Sequence, residues 1–208
     1  KFKGYERDNT FRRKFASDTE KIVFFVGRLV NEKGAHILLD AVPKVLSHYH
    51  NVKFVITGKG PQMDFLRSKA ENMGISSKVY FTGYLDDGSL HRLFKCADIA
   101  VFPSLYEPFG IVALEGMLAN VPVIVSDIGG LDEIVNHGED GMKFYVGNAN
   151  SLADCILELL FNPQKAERIK EKAMKKVNKI YNWDIISRQT MDVYKEVAEE
   201  CGKTGWGR

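Results

Sequence analysis

Nine consecutive residues, Glu107-Pro108-Phe109-Gly110-Ile111-Val112-Ala113-Leu114-Glu115, set two carboxylates eight positions apart with a Pro-Phe-Gly turn between them. The apolar run Ile99–Phe102 leads into this stretch, so Glu107 and Phe109-Gly110 fall in a strand-to-helix loop. Glu115 then lies about one and a half turns into the following helix. The backbone N–H groups of Gly110, Ile111 and Val112 would open that helix and face the loop, a natural seat for an anion. A second stretch, Gly27-Arg28-Leu29-Val30-Asn31-Glu32-Lys33-Gly34, brackets one loop with two cations. Arg28 offers a planar fork of donors and Lys33 a compact point charge, which together can converge on a diphosphate. The plainer reading is a solvated loop with incidental charges and a helix with two surface carboxylates. An anion seat with carboxylates at its mouth and deeper in suits a ligand carrying both phosphate and several hydroxyls. A nucleotide sugar fits that description.

These groups act together only if strands deliver them to one edge. From Lys21 the chain alternates apolar runs with helical spacing. The strands expected are Ile22–Val26, Val52–Thr57, Val79–Thr82, Ile99–Phe102, Pro122–Ser126 and Lys143–Val146. Helical patterns fill the intervals, among them Met63–Met73, Asp87–Cys96 and a short Leu131–His137. Continuous apolar strands of this kind are buried on both faces of a parallel sheet. The pattern predicts an α/β fold, a Rossmann-like doubly wound parallel sheet of about six strands, with ligands at its carboxyl edge. The last third is helical, over Ser151–Phe161, Pro163–Tyr181 and the amphipathic Trp183–Glu200. Residues 1–20 are polar and irregular and read as a linker from a further, N-terminal domain. Residues 21–182 then form the main domain, and 183–208 a crossover helix with a tail frayed from Cys201 onward.

Other strand ends carry weaker signals. Gly58-Lys59-Gly60-Pro61 marks a turn into a helix, where Gly58 would let backbone approach a ligand. Thr82-Gly83-Tyr84-Leu85 could cradle a nucleobase or serve as a turn with hydrophobic anchors. Ser126-Asp127-Ile128-Gly129-Gly130 fits a helix start at the same edge or a purely structural turn.

Several function classes are excluded. No P-loop is present, and no G-x-G-x-x-G opens the first helix, which removes a Rossmann dehydrogenase. With 29 basic and 27 acidic residues the net charge is only +2, giving no electrostatic case for nucleic acid. No Asp-x-Asp pair or histidine cluster offers a metal site, and no metal or other cofactor is expected. No membrane span is expected either. The three cysteines, Cys96, Cys155 and Cys201, are widely spaced and read as free thiols in a reducing compartment, the first two as core fillers. A cytoplasmic location is expected, with peripheral membrane contact left open for the full protein.

Taken in order, the GRLVNEKG loop, the GKGP turn, FTGYL, EPFGIVALE and the Gly129-Gly130 loop resemble the C-terminal domain of family 4 retaining glycosyltransferases. That domain is one half of a GT-B fold, and the family includes glycogen synthases, sucrose synthases and many mannosyl- and glucosyltransferases. Tyr181-Asn182-Trp183-Asp184 is similar to the segment opening the family's last helix. Departures are Gly116 and Asn120, where the family usually has Ala and Gly. The resemblance implies that Arg28 and Lys33 hold the diphosphate and that Glu107 faces the transferred sugar, these three forming the catalytic set. It further implies that Glu115 binds the ribose hydroxyls and Tyr84 and Leu85 flank the base. Gly27, Gly58, Phe109, Gly110, Ile111 and Val112 would complete the donor site. The implied reaction moves a hexosyl group from a nucleotide diphosphate sugar to a glycan, lipid or small-molecule acceptor, without metal. The acceptor-binding domain would lie upstream, so this chain alone should bind donor weakly and transfer nothing. Two other readings stay open: a nucleotide-sugar epimerase of GT-B fold, and a non-enzymatic sugar-nucleotide-binding module. Base, sugar, acceptor and oligomeric state are not legible.

Overall fold

The computed structural model describes Phe2 and residues 4–204 and gathers six strands into one parallel sheet. The strands are β1 (Lys21–Val26), β2 (Val52–Thr57), β3 (Val79–Gly83), β4 (Ile99–Phe102), β5 (Val123–Ser126) and β6 (Met142–Phe144). Their spatial order is β3-β2-β1-β4-β5-β6. The direction of winding reverses between β1 and β4, the place where an open α/β sheet leaves a crevice at its carboxyl edge. The loops carrying Arg28 and Glu107 therefore follow neighbouring strands, although 79 positions separate the two residues in sequence. Continuous burial of Ile22–Phe25, Phe54–Ile56 and Ile99–Phe102 matches strands covered on both faces.

The helices are α1 (Asn9–Arg12), α2 (Ala35–His48), α3 (Met63–Asn72), α4 (Asp87–Cys96), α5 (Ile111–Leu118), α6 (Gly129–Ile134), α7 (Ala149–Phe161), α8 (Pro163–Ile180) and α9 (Trp183–Thr204). Ile37, Leu38, Ala41, Val42 and Val45 on α2 pack in one core cluster with Leu152, Ile156 and Leu159 on α7. Asn120 adopts the left-handed conformation (φ 62°), which asparagine tolerates better than most residues. Helix α6 stops at Ile134, three residues before the expected end, and His137 Nδ1 instead accepts from Lys143 N at 2.9 Å. No helix among the described residues is long and apolar enough to cross a membrane.

The N-terminal segment is not irregular as expected. Asp8 caps the short α1 through Phe11 N (2.9 Å), and Phe2, Phe11, Arg12 and Ala16 are buried. Arg12, only 2% exposed, donates to the carbonyls of Ser17 and Glu20 and pairs with Asp98 Oδ2 at 3.5 Å. Asp98 also receives Ile22 N (2.9 Å) and Lys21 Nζ (3.3 Å), which anchors this segment at the amino edge of the sheet. Phe2 packs edge-on to Phe94, and the Arg92 guanidinium sits 4.3 Å from the Phe11 ring centroid. Single aromatics without period supply these anchors, so no element was visible in the sequence.

Chain contacts divide the molecule into residues 1–174 and 175–208. Ile169 belongs to the core cluster, which ties the start of α8 to the first unit. The second unit holds the end of α8 and all of α9, where Trp183, Met191, Val193, Tyr194 and Val197 are exposed. Residues 201–204 continue α9; residues 205–208 of the expected frayed tail lie outside the described residues.

Cys96 and Cys155 are buried as expected, and burial pushes the Cys155 thiol up to about 11. Cys96 is raised for the same reason. Both stay protonated at about pH 8, where an ordinary thiol begins to ionise. Ellman's reagent should then find one fast thiol in the native chain, half-buried Cys201, and all three after denaturation. Three fast equivalents from native protein would contradict this packing.

Candidate functional site

The turns after β1, β2 and β3 interlock through backbone. Gly27 N donates to Thr57 O (3.1 Å), Leu29 N to Lys59 O (2.9 Å), Gln62 N to Leu29 O (3.0 Å) and Gly58 N to Gly83 O (2.9 Å). Gly58 has φ 142°, and a Cβ on it would lie 1.8 Å from the Gly27 carbonyl oxygen. Its glycine is thus required by this close approach of two loops, a reason independent of any ligand. Gly27 differs: a Cβ there meets nothing nearer than 3.4 Å, so no contact within the chain demands a glycine.

The loops after β1 and β4 join across the reversal point of the sheet. Leu105 N and Tyr106 N both donate to Glu32 O, at 2.7 and 3.3 Å. Gly34, in the left-handed region (φ 67°), ends the 3₁₀ turn Asn31–Lys33 and passes so close to Pro103 that a Cβ would lie 1.8 Å from its carbonyl oxygen. This docking delivers Lys33 Nζ to Glu107 Oε2 at 2.6 Å. Glu107 is only 8% exposed, and its charge is compensated where it lies. Ser104 Oγ approaches the same oxygen at 3.4 Å, and Gly130 N, at the start of α6, donates to Glu107 O at 2.9 Å. The Gly129-Gly130 turn is therefore both a helix start at this edge and a packing device.

Helix α5 opens after Gly110, where Ala113 N already donates to Gly110 O at 2.9 Å and the N–H groups of Ile111 and Val112 precede the first helical hydrogen bond. Phe109 (74% exposed), Ile111 and Tyr106 surround that opening with exposed apolar surface. Val112 and Glu115 are half-buried on the same helix. Arg28 is exposed, and its guanidinium has no hydrogen-bond or ion-pair partner among the described residues. Tyr84 is exposed after β3, with Lys59 Nζ 5.3 Å from its ring centroid, and Leu85 beside it is half-buried. Lys33 and Glu107 are thus in direct contact, while Tyr84 and Leu85 sit across β2 and β1 from Glu107 in the strand order. A cavity of about 530 Å³ lies at the opposite, amino edge, lined by Tyr5, Arg7, Lys21, Lys95, Asp98 and Asn120 among others. The candidate site lies instead at the carboxyl edge, where Lys33 and Glu107 meet.

The sequence motifs include Ser126 only as the first residue of a turn and do not include Ser104. Ser126 is the one polar residue of β5, fully buried, with Oγ donating to Ser104 O at 2.5 Å. A hydroxyl ending a strand of Val and Ile was the available signal.

Residues 6–176 match the family model described as "Glycosyl transferases group 1". The chain belongs to the glycosyl transferases group 1 family. A curated relative, an uncharacterised glycosyltransferase of Methanocaldococcus jannaschii, is 42% identical over 200 residues, covering 96% of this chain and 51% of the relative. A glycogen synthase of Mycobacterium tuberculosis is 35% identical over 172 residues, covering 83% of this chain and 42% of that protein. Among solved structures, Anabaena HepE in complex with UDP-glucose superposes with a TM-score of 0.81 at 26% identity, covering 92% of this chain and 54% of that one. This group 1 chain therefore spans about half the length of the curated relatives it matches. Its Rossmann-like sheet is that of a GT-B glycosyltransferase domain, as the sequence motifs implied.

Proposed function

We propose that this chain is the donor-binding half of a metal-independent, retaining glycosyltransferase that transfers a hexosyl group from a nucleotide diphosphate sugar. The observation that carries the reading is the 2.6 Å contact between Lys33 and Glu107 at the reversal point of the sheet. It sets a cation suited to phosphate against a carboxylate suited to sugar hydroxyls, at the same sheet edge as the start of α5 and Arg28, which has no ion-pair partner among the described residues. Arg28 and Lys33 hold the diphosphate, Glu107 faces the sugar, Glu115 takes the ribose hydroxyls, and Tyr84 and Leu85 flank the base. The C1–O bond to the diphosphate breaks as the acceptor oxygen bonds C1 from the same face. The acceptor proton passes to the departing phosphate oxygen. The cations stabilise that departing charge, where fixed electrostatics contribute most. A second domain of the longer protein supplies the acceptor half of the cleft. The transferases among the relatives favour transfer over epimerisation.

The test is calorimetric titration of the full-length protein with UDP, ADP and GDP, without divalent metal, beside Arg28→Ala and Glu115→Ala. One nucleotide should bind selectively, and both variants should lose it. A folded full-length protein that binds none of the three at millimolar concentration would overturn the reading.

A further inference from the structure

A hydroxyl buried in an apolar strand must find a partner, and the partner it finds shows what it holds still. Ser126 Oγ, with 0% exposure, donates to the carbonyl of Ser104, three residues before Glu107. Ser104 is itself 2% exposed and turns its own hydroxyl toward Glu107 Oε2. Between these two, Leu105 N is held by Glu32 O, and beyond them Glu107 O is held by Gly130 N. The backbone from Ser104 to Glu107 is thereby fixed at three points, by the end of β5, the loop after β1 and the start of α6. Both side-chain contacts of Glu107 among the described residues, from Lys33 and Ser104, fall on Oε2. Oε1 keeps its lone pairs.

We propose that Ser126 is a positioning residue that holds the Ser104 carbonyl so that Glu107 presents Oε1 to a hydroxyl of the transferred sugar. The inference rests on the donor-site reading above. It divides the carboxylate's work: Oε2 is spent on the protein and Oε1 is kept for the donor. A hydroxyl that merely filled space would affect stability alone. A positioning hydroxyl affects affinity for the sugar and leaves affinity for the diphosphate unchanged.

The experiment is calorimetry on the full-length protein with UDP against UDP-glucose, and the matching ADP and GDP pairs, for wild type, Ser126→Ala and Ser104→Ala. In Ser126→Ala the Kd for the sugar nucleotide should rise about tenfold while that for the free diphosphate moves less than about twofold. Ser104→Ala, which loses the longer contact, should shift the same ratio about threefold. Melting curves confirm which variants are folded, and if Ser126→Ala does not fold, Ser104→Ala decides. A folded variant that keeps the wild-type ratio of the two affinities overturns the positioning role while leaving the donor site standing. Wild type that binds no pair overturns the donor-site reading, and this inference with it.

Discussion

Lys33→Ala should slow sugar transfer by the full-length protein by about 10²–10³-fold, the usual cost of losing one preorganised charge at a departing group. The side chain has two tasks. It supplies positive charge at the carboxyl edge of β1, and it compensates Glu107, whose side chain is 10% exposed, across 2.6 Å. Removal leaves a largely buried carboxylate without its ion-pair partner. Lys33 itself is 29% exposed, so water screens part of that deficit, and the stability loss should be about 1–3 kcal/mol rather than the larger figure for a fully buried pair. The two tasks separate in the double variant. Lys33→Ala with Glu107→Ala should recover stability, because no uncompensated carboxylate remains, and should transfer no faster than the single variant. Steady-state kinetics beside thermal melts check both halves. A Lys33→Ala rate within about threefold of wild type would rule out charge stabilisation by this residue.

The largest expected effect on folding comes from Gly34→Ala. Its backbone sits at φ 67°, and the added methyl would meet the Pro103 carbonyl oxygen at 1.8 Å. The left-handed conformation costs about 1–2 kcal/mol for an L-residue, and forced repacking adds about 1–3 kcal/mol. The obstacle is backbone, which cannot swing aside as a side chain would. A loss of about 3 kcal/mol or more follows, lowering the melting midpoint by about 10 °C in a chain of this size. Gly27→Ala is the contrast, since its nearest contact is an ordinary 3.4 Å from the Phe25 ring. That variant should melt within about 2 °C of wild type and yet lose nucleotide affinity, because Gly27 opens the loop of Arg28 and Lys33 proposed to hold the diphosphate. Equal melting of the two variants would show that the loops after β1 and β4 are not locked as described.

The sheet was legible because each strand between two layers of helices must be apolar on both faces. Ile22–Val26, Val52–Thr57 and Ile99–Phe102 therefore stand out as unbroken runs. The pairing of Lys33 with Glu107 was legible only as far as two loops sharing an edge. Their contact depends on β4 lying beside β1, a matter of strand order that periodicity does not encode. The N-terminal segment was misread because Phe2, Phe11 and Arg12 are single anchors whose partners, Phe94, Arg92 and Asp98, lie more than 80 positions away. Gly58 was assigned to ligand approach, although the atom nearest its missing methyl belongs to Gly27. A glycine in a turn announces crowding and does not say whether protein or ligand does the crowding.

The turns after β1, β2 and β3 are stitched to one another by main-chain hydrogen bonds, with Leu29 N on Lys59 O and Gly58 N on Gly83 O. Stitching of that kind is indifferent to the side chains it carries. Lys59, Tyr84 and Leu85 can be exchanged without breaking any of those bonds, whereas Lys33 and Ser104 contact Glu107 through their side chains and Ser126 holds the Ser104 carbonyl through its own, so a change at any of them disturbs the others. One flank of the site is thus free to vary and the other is not. Descendants of such a domain should diverge in which nucleotide they accept while keeping the transfer chemistry proposed above.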